Sequence, residues 1–441
     1  MIEKQFRSKG RNPVLPPDIR IPDGEAHVFH DKLYVYGSFD VSAKEYCSEE
    51  YHVASTSDML TWEVGEKSLD GNDIPWPDDK KKEKYYVVDM GLKDPTPVYR
   101  EILKGMHIPL GLMPKGIRPQ NIDFAAFVPN KHLLFAPDCC EKNGKYYLYF
   151  CMSDYTEGVA VSEKPEGPFR DPVRLPCGGI DPAVFVDDDG KVYYYWGQFR
   201  ANGVRLNDDM ISFDESSVVE RIVTEEEHGF HEGSSMRKRN GIYYYVYPCI
   251  FRKGRPTCLA YATSKSPLGP FTYRGIIIDN AKCDPESWNI HGSIEEFHGQ
   301  WYVFYHRSSG NCRANRRLCV EKICFNDDGT IDEVRMTSQG AGEPFALGEA
   351  IEGWRACEVE GGAFIDGTDL VMKKGSRAVI RYCDFENTPV RMEADFEGEG
   401  ALTAQANGKP LDKADQGINE IVLTSSGDLR VHSVRFLSEE N

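Results

Sequence analysis

No apolar run in this sequence approaches the roughly 20 residues that carry a helix across a bilayer, which excludes an integral helical membrane protein. Basic clusters are missing too. The 52 Lys and Arg residues face 70 Asp and Glu, for a net charge of −18, with no Lys/Arg-rich run. Phosphate backbones and anionic lipid repel such a chain, so neither nucleic acid nor a membrane is expected as a partner. The 13 cysteines show no paired metal spacing and read as reduced, mostly buried thiols. The opening residues hold no apolar stretch of the secretory kind, and a cytoplasmic protein is expected. No Gly-rich phosphate loop and no G-x-S-x-G nucleophile turn occurs, so no organic cofactor is expected. Long 3.6-residue periodicity is absent as well.

What the chain has is turn formers and strand formers: 40 Gly, 26 Pro and 23 Tyr in 441 residues. These point to an all-β chain. One pattern recurs, a turn followed by an aromatic strand: Asp31 to Tyr36, Asn143 to Tyr149, Asp189 to Tyr195, Asn240 to Tyr245 and His298 to Tyr305. Asn-Gly and Asp-Gly pairs favour the two-residue turn whose central residues both need positive φ, so each copy is the second strand of a hairpin. Ser162 to Phe169 also matches Ser264 to Phe271, 102 residues later. From Gly144 on, the hairpin glycines lie 46, 51 and 58 residues apart. Repeats of that size predict a five-bladed β-propeller over residues 1–339, with an insertion at about 64–130 between the first two units. A long sandwich with similar hairpins is the alternative. After the linker at 340–344, short strand-like runs predict a small C-terminal β-sandwich over 340–441.

Ionisable residues sit at matching positions ahead of the hairpin turns. Asp23 lies 8 residues before Asp31, Asp181 lies 9 before Gly190, Glu232 lies 9 before Gly241, and His291 lies 8 before Gly299. The second unit departs, with Phe135-Ala136-Pro137-Asp138 in that place. The innermost strand of each blade lines the central axis, so three carboxylates and an imidazole should meet at one mouth of the channel. Singly, each acid reads equally well as a turn former before Gly or Pro. The shared register favours a site. Carboxylates gathered in a concave site suit glycoside hydrolysis, where one must be protonated and another ionised. Burial and mutual repulsion drive their pKa values apart. Glu25, Glu295 and Asp284 read as ordinary acids, and His27 as a packed side chain.

At these residues the sequence resembles glycoside hydrolase family 43. Pro22-Asp23-Gly24-Glu25-Ala26-His27 resembles the segment bearing the family's general base, with Gly24 where many members have Pro. Ile180-Asp181-Pro182 resembles the segment of the pKa-tuning Asp, His231-Glu232-Gly233 that of the general acid, and His291-Gly292-Ser293 that of a histidine in the central cavity. The resemblance implies an inverting hydrolase with Asp23 as base, Glu232 as acid and Asp181 tuning Glu232. It implies Arg307 as a substrate-binding residue, and His291 beside a structural calcium ion in the channel. It further implies an oligosaccharide substrate: α-L-arabinofuranosyl side groups of arabinoxylan fragments, with β-xylosidase, or both activities, as the alternative. The short C-terminal region lacks the larger sandwich that completes a xylosidase pocket in some relatives, and looks like a reduced carbohydrate-binding module. A retaining propeller enzyme acting on fructosides and a sugar-binding propeller with a dead site are the rival readings.

Overall fold

The computed structural model describes residues 4–42, 45–77, 85–86, 130–252 and 254–438. Among these, the one α-helical turn is Glu225–His228, capped by the Thr224 side chain, and the regular structure is otherwise strand apart from short 3-10 turns. The described strands form seven sheets. The first five follow one another along the chain, each with a short strand at one edge that opens its hairpin: Glu25–Phe29, Asp138–Lys142, Ala183–Val186, Ser235–Arg239 and Ser293–Phe297. Each of these five packs against the next, and the fifth packs against the first. The starting strands therefore close a ring.

The aromatic runs of the sequence are the second strands of these sheets. Lying between neighbouring sheets, they are buried on both faces, which is why they read as continuous aromatic stretches and not as alternation. In Ile242–Cys249, for example, every residue after Ile242 is buried. Their phenol groups stay satisfied: Tyr244 donates to the Gly329 carbonyl (2.8 Å) and Tyr247 to that of His228 (2.8 Å). The matched Ser-to-Phe segments also find equivalent partners. Tyr36 donates to the Pro165 carbonyl (2.6 Å) and Tyr195 to that of Pro267 (2.9 Å), each reaching across to the next sheet.

Four of the five hairpins turn through two residues at positive φ: His30-Asp31, Asn143-Gly144, Asn240-Gly241 and His298-Gly299. The third differs. Val186 pairs with Val192 across a five-residue loop in which only Gly190 has positive φ. The insertion also starts later than 64. Residues Thr61–Asp70 form a strand paired with Glu50–Thr56, so Val64 to Asp70 belong to the first sheet. Trp76 then stacks near Phe150 of the second sheet (6.2 Å between centroids). Most of the expected insertion, 78–84 and 87–129, lies outside the described residues.

The N-terminal segment joins the first sheet to the fifth. Lys4–Arg7 pairs with the outer strand Thr61–Asp70 of the first sheet. A few residues on, Val14 donates to the Leu318 carbonyl (3.0 Å) and Asn12 bonds both polar groups of the Val320 backbone, along the outer edge of the fifth sheet. The last two sheets, built from strands between Phe345 and Ser438, share their own core around Trp354, Ile380, Leu423 and Phe436.

Gly292 marks a tight point of the ring. A Cβ there would lie 1.8 Å from the Phe304 carbonyl oxygen, so only glycine lets the fifth sheet's first strand start where it does. Gly292→Ala is expected to destabilise the protein by about 3 kcal/mol, at the upper end of the cost of forcing a methyl into closed packing. The shift of the urea midpoint against the unchanged protein measures this.

Candidate active site

Strands that start side by side present their preceding residues at one end of the ring. Asp23, Asp181 and His291 each stand two residues before a first strand, and Glu232 three before its own. Asp23 (φ 61°) and Asp181 (φ 54°) sit in the left-handed region, and after Glu232 it is Gly233 (φ 70°) that does so. Asp is among the few residues that adopt this conformation at modest cost. The structure brings the four expected residues together. His291 Nδ1 lies 3.7 Å from Asp181 Oδ2 and 4.0 Å from Asp23 Oδ1. The Glu232 carboxylate is the charge that acts most strongly on Asp181.

The two aspartates are buried alike and titrate in opposite directions. Burial pushes the Asp23 carboxyl up, but the Arg316 guanidinium, then His306 and His291, outweigh it and hold it well below the usual carboxylate range. Arg316 Nη1 reaches both Asp23 oxygens (2.8 and 3.1 Å), and Ser38 Oγ donates to Oδ2 (2.7 Å). Among the described residues, no guanidinium or hydroxyl bonds the Asp181 carboxylate in this way. Burial first, then the charges of Glu232 and Asp23, raise it well above its ordinary value. Burial also lowers His291, so its imidazole is neutral at pH 7.

Glu232 is half-buried and held from two sides. Gln198 Nε2 donates to Oε2 (3.1 Å) and Asn289 Nδ2 to Oε1 (3.2 Å). The Asn289 carbonyl in turn lies 3.2 Å from His306 Nε2, and His306 Nδ1 accepts the Asp23 backbone N–H (3.3 Å). A chain of polar contacts thus runs from Asp23 through His306 and Asn289 to Glu232. The Tyr46 ring lies over the Arg316 guanidinium (4.8 Å), and its hydroxyl has no hydrogen-bond partner among the described residues.

Arg307 is not where the sequence put it. Its guanidinium bonds Tyr305 Oη (2.9 and 2.6 Å), Glu321 Oε1 (3.0 Å) and the Thr337 carbonyl (2.7 Å), with no contact to the carboxylates at the mouth. Strand alternation explains this. In the pairing of Gln300–Ser308 with Arg316–Ile323, His306 lies opposite Leu318 and Ser308 opposite Arg316, so these four share one face. Arg307, opposite Arg317, is on the other. The arginine beside Asp23 is Arg316, which sequence reasoning missed, along with His306, Gln198 and Asn289. The signal for Arg316 was a register across the 309–315 loop, which no motif marks.

The oxygen set around His291 does not suit a directly bound calcium ion, which takes six to eight oxygen ligands. The near carboxylate of Asp23 is committed to Arg316 and Ser38, and the ring's Nε2 edge abuts Gly233. A different group, Glu25, His27 and Asp138, brings one ligand atom each within 4.8 Å deeper in the channel. There too the oxygens are taken. Asp138 accepts the Cys139 and Val184 N–H groups (2.6 and 2.7 Å) and lies 2.6 Å from His27 Nε2. Glu25 Oε1 accepts from Arg237 (2.8 Å) and Ser235 (2.9 Å). Only Glu25 Oε2 is without a partner. Three ligand atoms gather, but one free oxygen beside a guanidinium does not make a calcium site.

The model for glycosyl hydrolases family 43 matches residues 120–331. A xylosidase/arabinosidase 43A of Humicola insolens is 32% identical over 378 residues, covering 72% of this chain and 97% of that protein. Among solved structures, a family 43 β-xylosidase/α-arabinofuranosidase from a compost microbial metagenome, in a calcium-free complex with xylotriose, aligns with a TM-score of 0.54 at 29% identity, covering 76% of this chain and 99% of that one. An arabinoxylan arabinofuranohydrolase of Bacillus subtilis aligns over 98% of both chains with a TM-score of 0.54 at 20% identity, a likeness of fold.

The two arginines are expected to separate on substitution. Arg316→Met removes the charge that keeps Asp23 ionised, so turnover should fall by about 10² or more. Because the Asp23 carboxyl then rises, activity should be lost at a higher pH as the medium is acidified. Arg307→Met should lower the thermal midpoint but leave kcat/KM per folded molecule within about threefold, as expected of a residue that touches no reacting atom. Initial rates across pH, with melting curves on the same preparations, check both.

Proposed function

The chain belongs to glycosyl hydrolases family 43, and from that premise we propose an inverting, exo-acting hydrolase that releases α-L-arabinofuranosyl groups from arabinoxylan-derived oligosaccharides. The observation that carries the reading is the unequal state of two buried carboxylates at one mouth: Asp23 held ionised by Arg316, and Asp181 pushed toward its protonated form beside Glu232. Single displacement needs that inequality, with one group to take a proton from water and one to give a proton to the leaving oxygen. In this reading Asp23 activates water. Glu232, steadied by Gln198 and Asn289, protonates the leaving oxygen. Asp181 tunes Glu232, and His291, between the two aspartates, packs beneath the sugar.

The ring of five sheets supports a five-bladed propeller over 1–339, and the two later sheets a β-sandwich over 340–441. β-Xylosidase activity is the second reading, favoured by the named activities of the compost-metagenome enzyme and of the Humicola insolens relative. Its xylotriose complex also supports short xylan-derived chains as the ligand class. Hydrolysis of a chromogenic arabinofuranoside against a xylopyranoside, with proton NMR of the first-formed sugar, tests the proposal. The expected result is faster arabinoside turnover and an inverted anomer. Release with retained configuration would remove the single-displacement mechanism, and faster xyloside turnover would favour the second reading.

Asp181 is raised first by burial and then by the charge of Glu232 beside it. Asp181→Asn removes the one carboxyl at the mouth that burial and the Glu232 charge raise. The alkaline limb of kcat/KM should therefore move to lower pH, by about one unit or more. A pH–rate profile whose alkaline limb stays in place would take the tuning role away from Asp181.

A further inference from the structure

The first strands carry two more layers of side chains below the mouth. Glu25, Asp138, Ala183, Ser235 and Ser293 begin the five strands, and His27, Cys140, Phe185, Arg237 and Glu295 follow two residues on. Arg237 comes from the fourth sheet and is buried. Its Nη2 donates to Glu25 Oε1 (2.8 Å) and to the Ala26 carbonyl on the first sheet, its Nε to Glu295 Oε2 (2.7 Å) on the fifth, and its Nη1 to its own neighbour's carbonyl, that of Met236 (2.7 Å). It is also the strongest favourable charge on both Glu25 and Asp138, which burial pushes up to about 7 each. Glu25 and Glu295 thus share one guanidinium, whose charge also acts on Asp138 of the second sheet.

We propose that Arg237 is the channel's resident cation, a positioning residue that ties the three sheets bearing Asp23, Glu232 and His291 together and takes the place of a channel metal ion. The argument is one of commitment and reach. A buried carboxylate must be paired or protonated. Here the pairing is done by a side chain with five fixed donors, four of which would be hard to replace by one ion. Glu25 lies two residues past Asp23, Ser235 three past Glu232 and Glu295 four past His291, so the guanidinium fixes the spacing of the residues one and two layers above it. The position is also reachable. A cavity of about 400 Å³ opens at the opposite mouth of the ring, lined by Val28, Phe185, Arg237, Lys238, Glu295 and Trp301 among others. A small cation entering there could reach the place that a truncated Arg237 vacates.

The test uses the full chain and reads melting temperature as well as activity, so that it stands whether or not the substrate reading holds. The unchanged protein, dialysed against EDTA and then given calcium, should keep its melting temperature and rate throughout. Arg237→Ala should melt about 5–10 °C lower, and guanidinium far below denaturing concentration should restore part of the loss where equal urea does not. If Arg237→Ala does not fold, Arg237→Lys is compared with Arg237→Met. The lysine variant, which keeps the charge, should fold and melt well above the methionine one. Loss of stability on chelation with recovery in calcium, guanidinium acting no better than urea, or a lysine variant no better than methionine would each overturn the proposal.

Discussion

A closed ring of first strands forces side chains from different sheets into one narrow, poorly hydrated space, and the rest of the molecule answers to that constraint. Acids brought there cannot all be ionised without a counter-charge, because repulsion between them is strong at low dielectric. The chain supplies the counter-charge by layer. Arg316 serves Asp23 and Asp40 at the mouth, and Arg237 serves Glu25 and Glu295 below. Where burial and like charge outweigh the nearest cation, as at Asp181, the carboxyl is pushed up toward its protonated form instead. Stability and chemistry are then two consequences of one distribution of charge.

That distribution explains how residues in one register come to differ. Asp23 and Asp181 share a left-handed backbone conformation, a place two residues before a first strand, and nearly complete burial. Nothing local separates them. What separates them is the neighbouring sheet: Asp23 faces the fifth, which carries Arg316 and His306, while the backbone N–H of Asp181 meets only the Cys151 thiol (3.3 Å) of the second. A repeat architecture can thus shift equivalent carboxylates in opposite directions by varying what stands beside each.

The sequence was legible where structure is local. The Asn-Gly turns announced the hairpins, and a constant offset from those turns marked Asp23, Asp181, Glu232 and His291. It misled where a contact depends on distant register. Arg307 follows the aromatic strand just as an active-site arginine would, but the parity of that strand turns it toward Glu321. Arg316 reaches Asp23 only after the chain has turned back through 309–315. Glu25 and His27 read as an ordinary acid and a packed ring because their partners, Arg237 and Asp138, lie more than a hundred residues away. The insertion was drawn too early because Thr61–Asp70 continues a strand with little aromatic signal.

The ion pair at Asp23 also closes the ring. Asp23 belongs to the first sheet and Arg316 to the last, so their contact crosses the only joint in the ring that chain order does not make. The same joint is held from outside by Asn12 and Val14 along the strand that Arg316 begins, and by Arg355, which donates to the Arg11 and Pro13 carbonyls (3.2 and 2.7 Å). The Asp23 carboxyl is depressed in the folded state, so its contribution to stability is complete above the ordinary carboxylate range and is lost only as pH falls through the lowered value. The interaction that keeps Asp23 ionised is therefore one that keeps the first and fifth sheets together at neutral and mildly acid pH. Nearby elements that hold the joint, such as the N-terminal segment, act on the site without touching it.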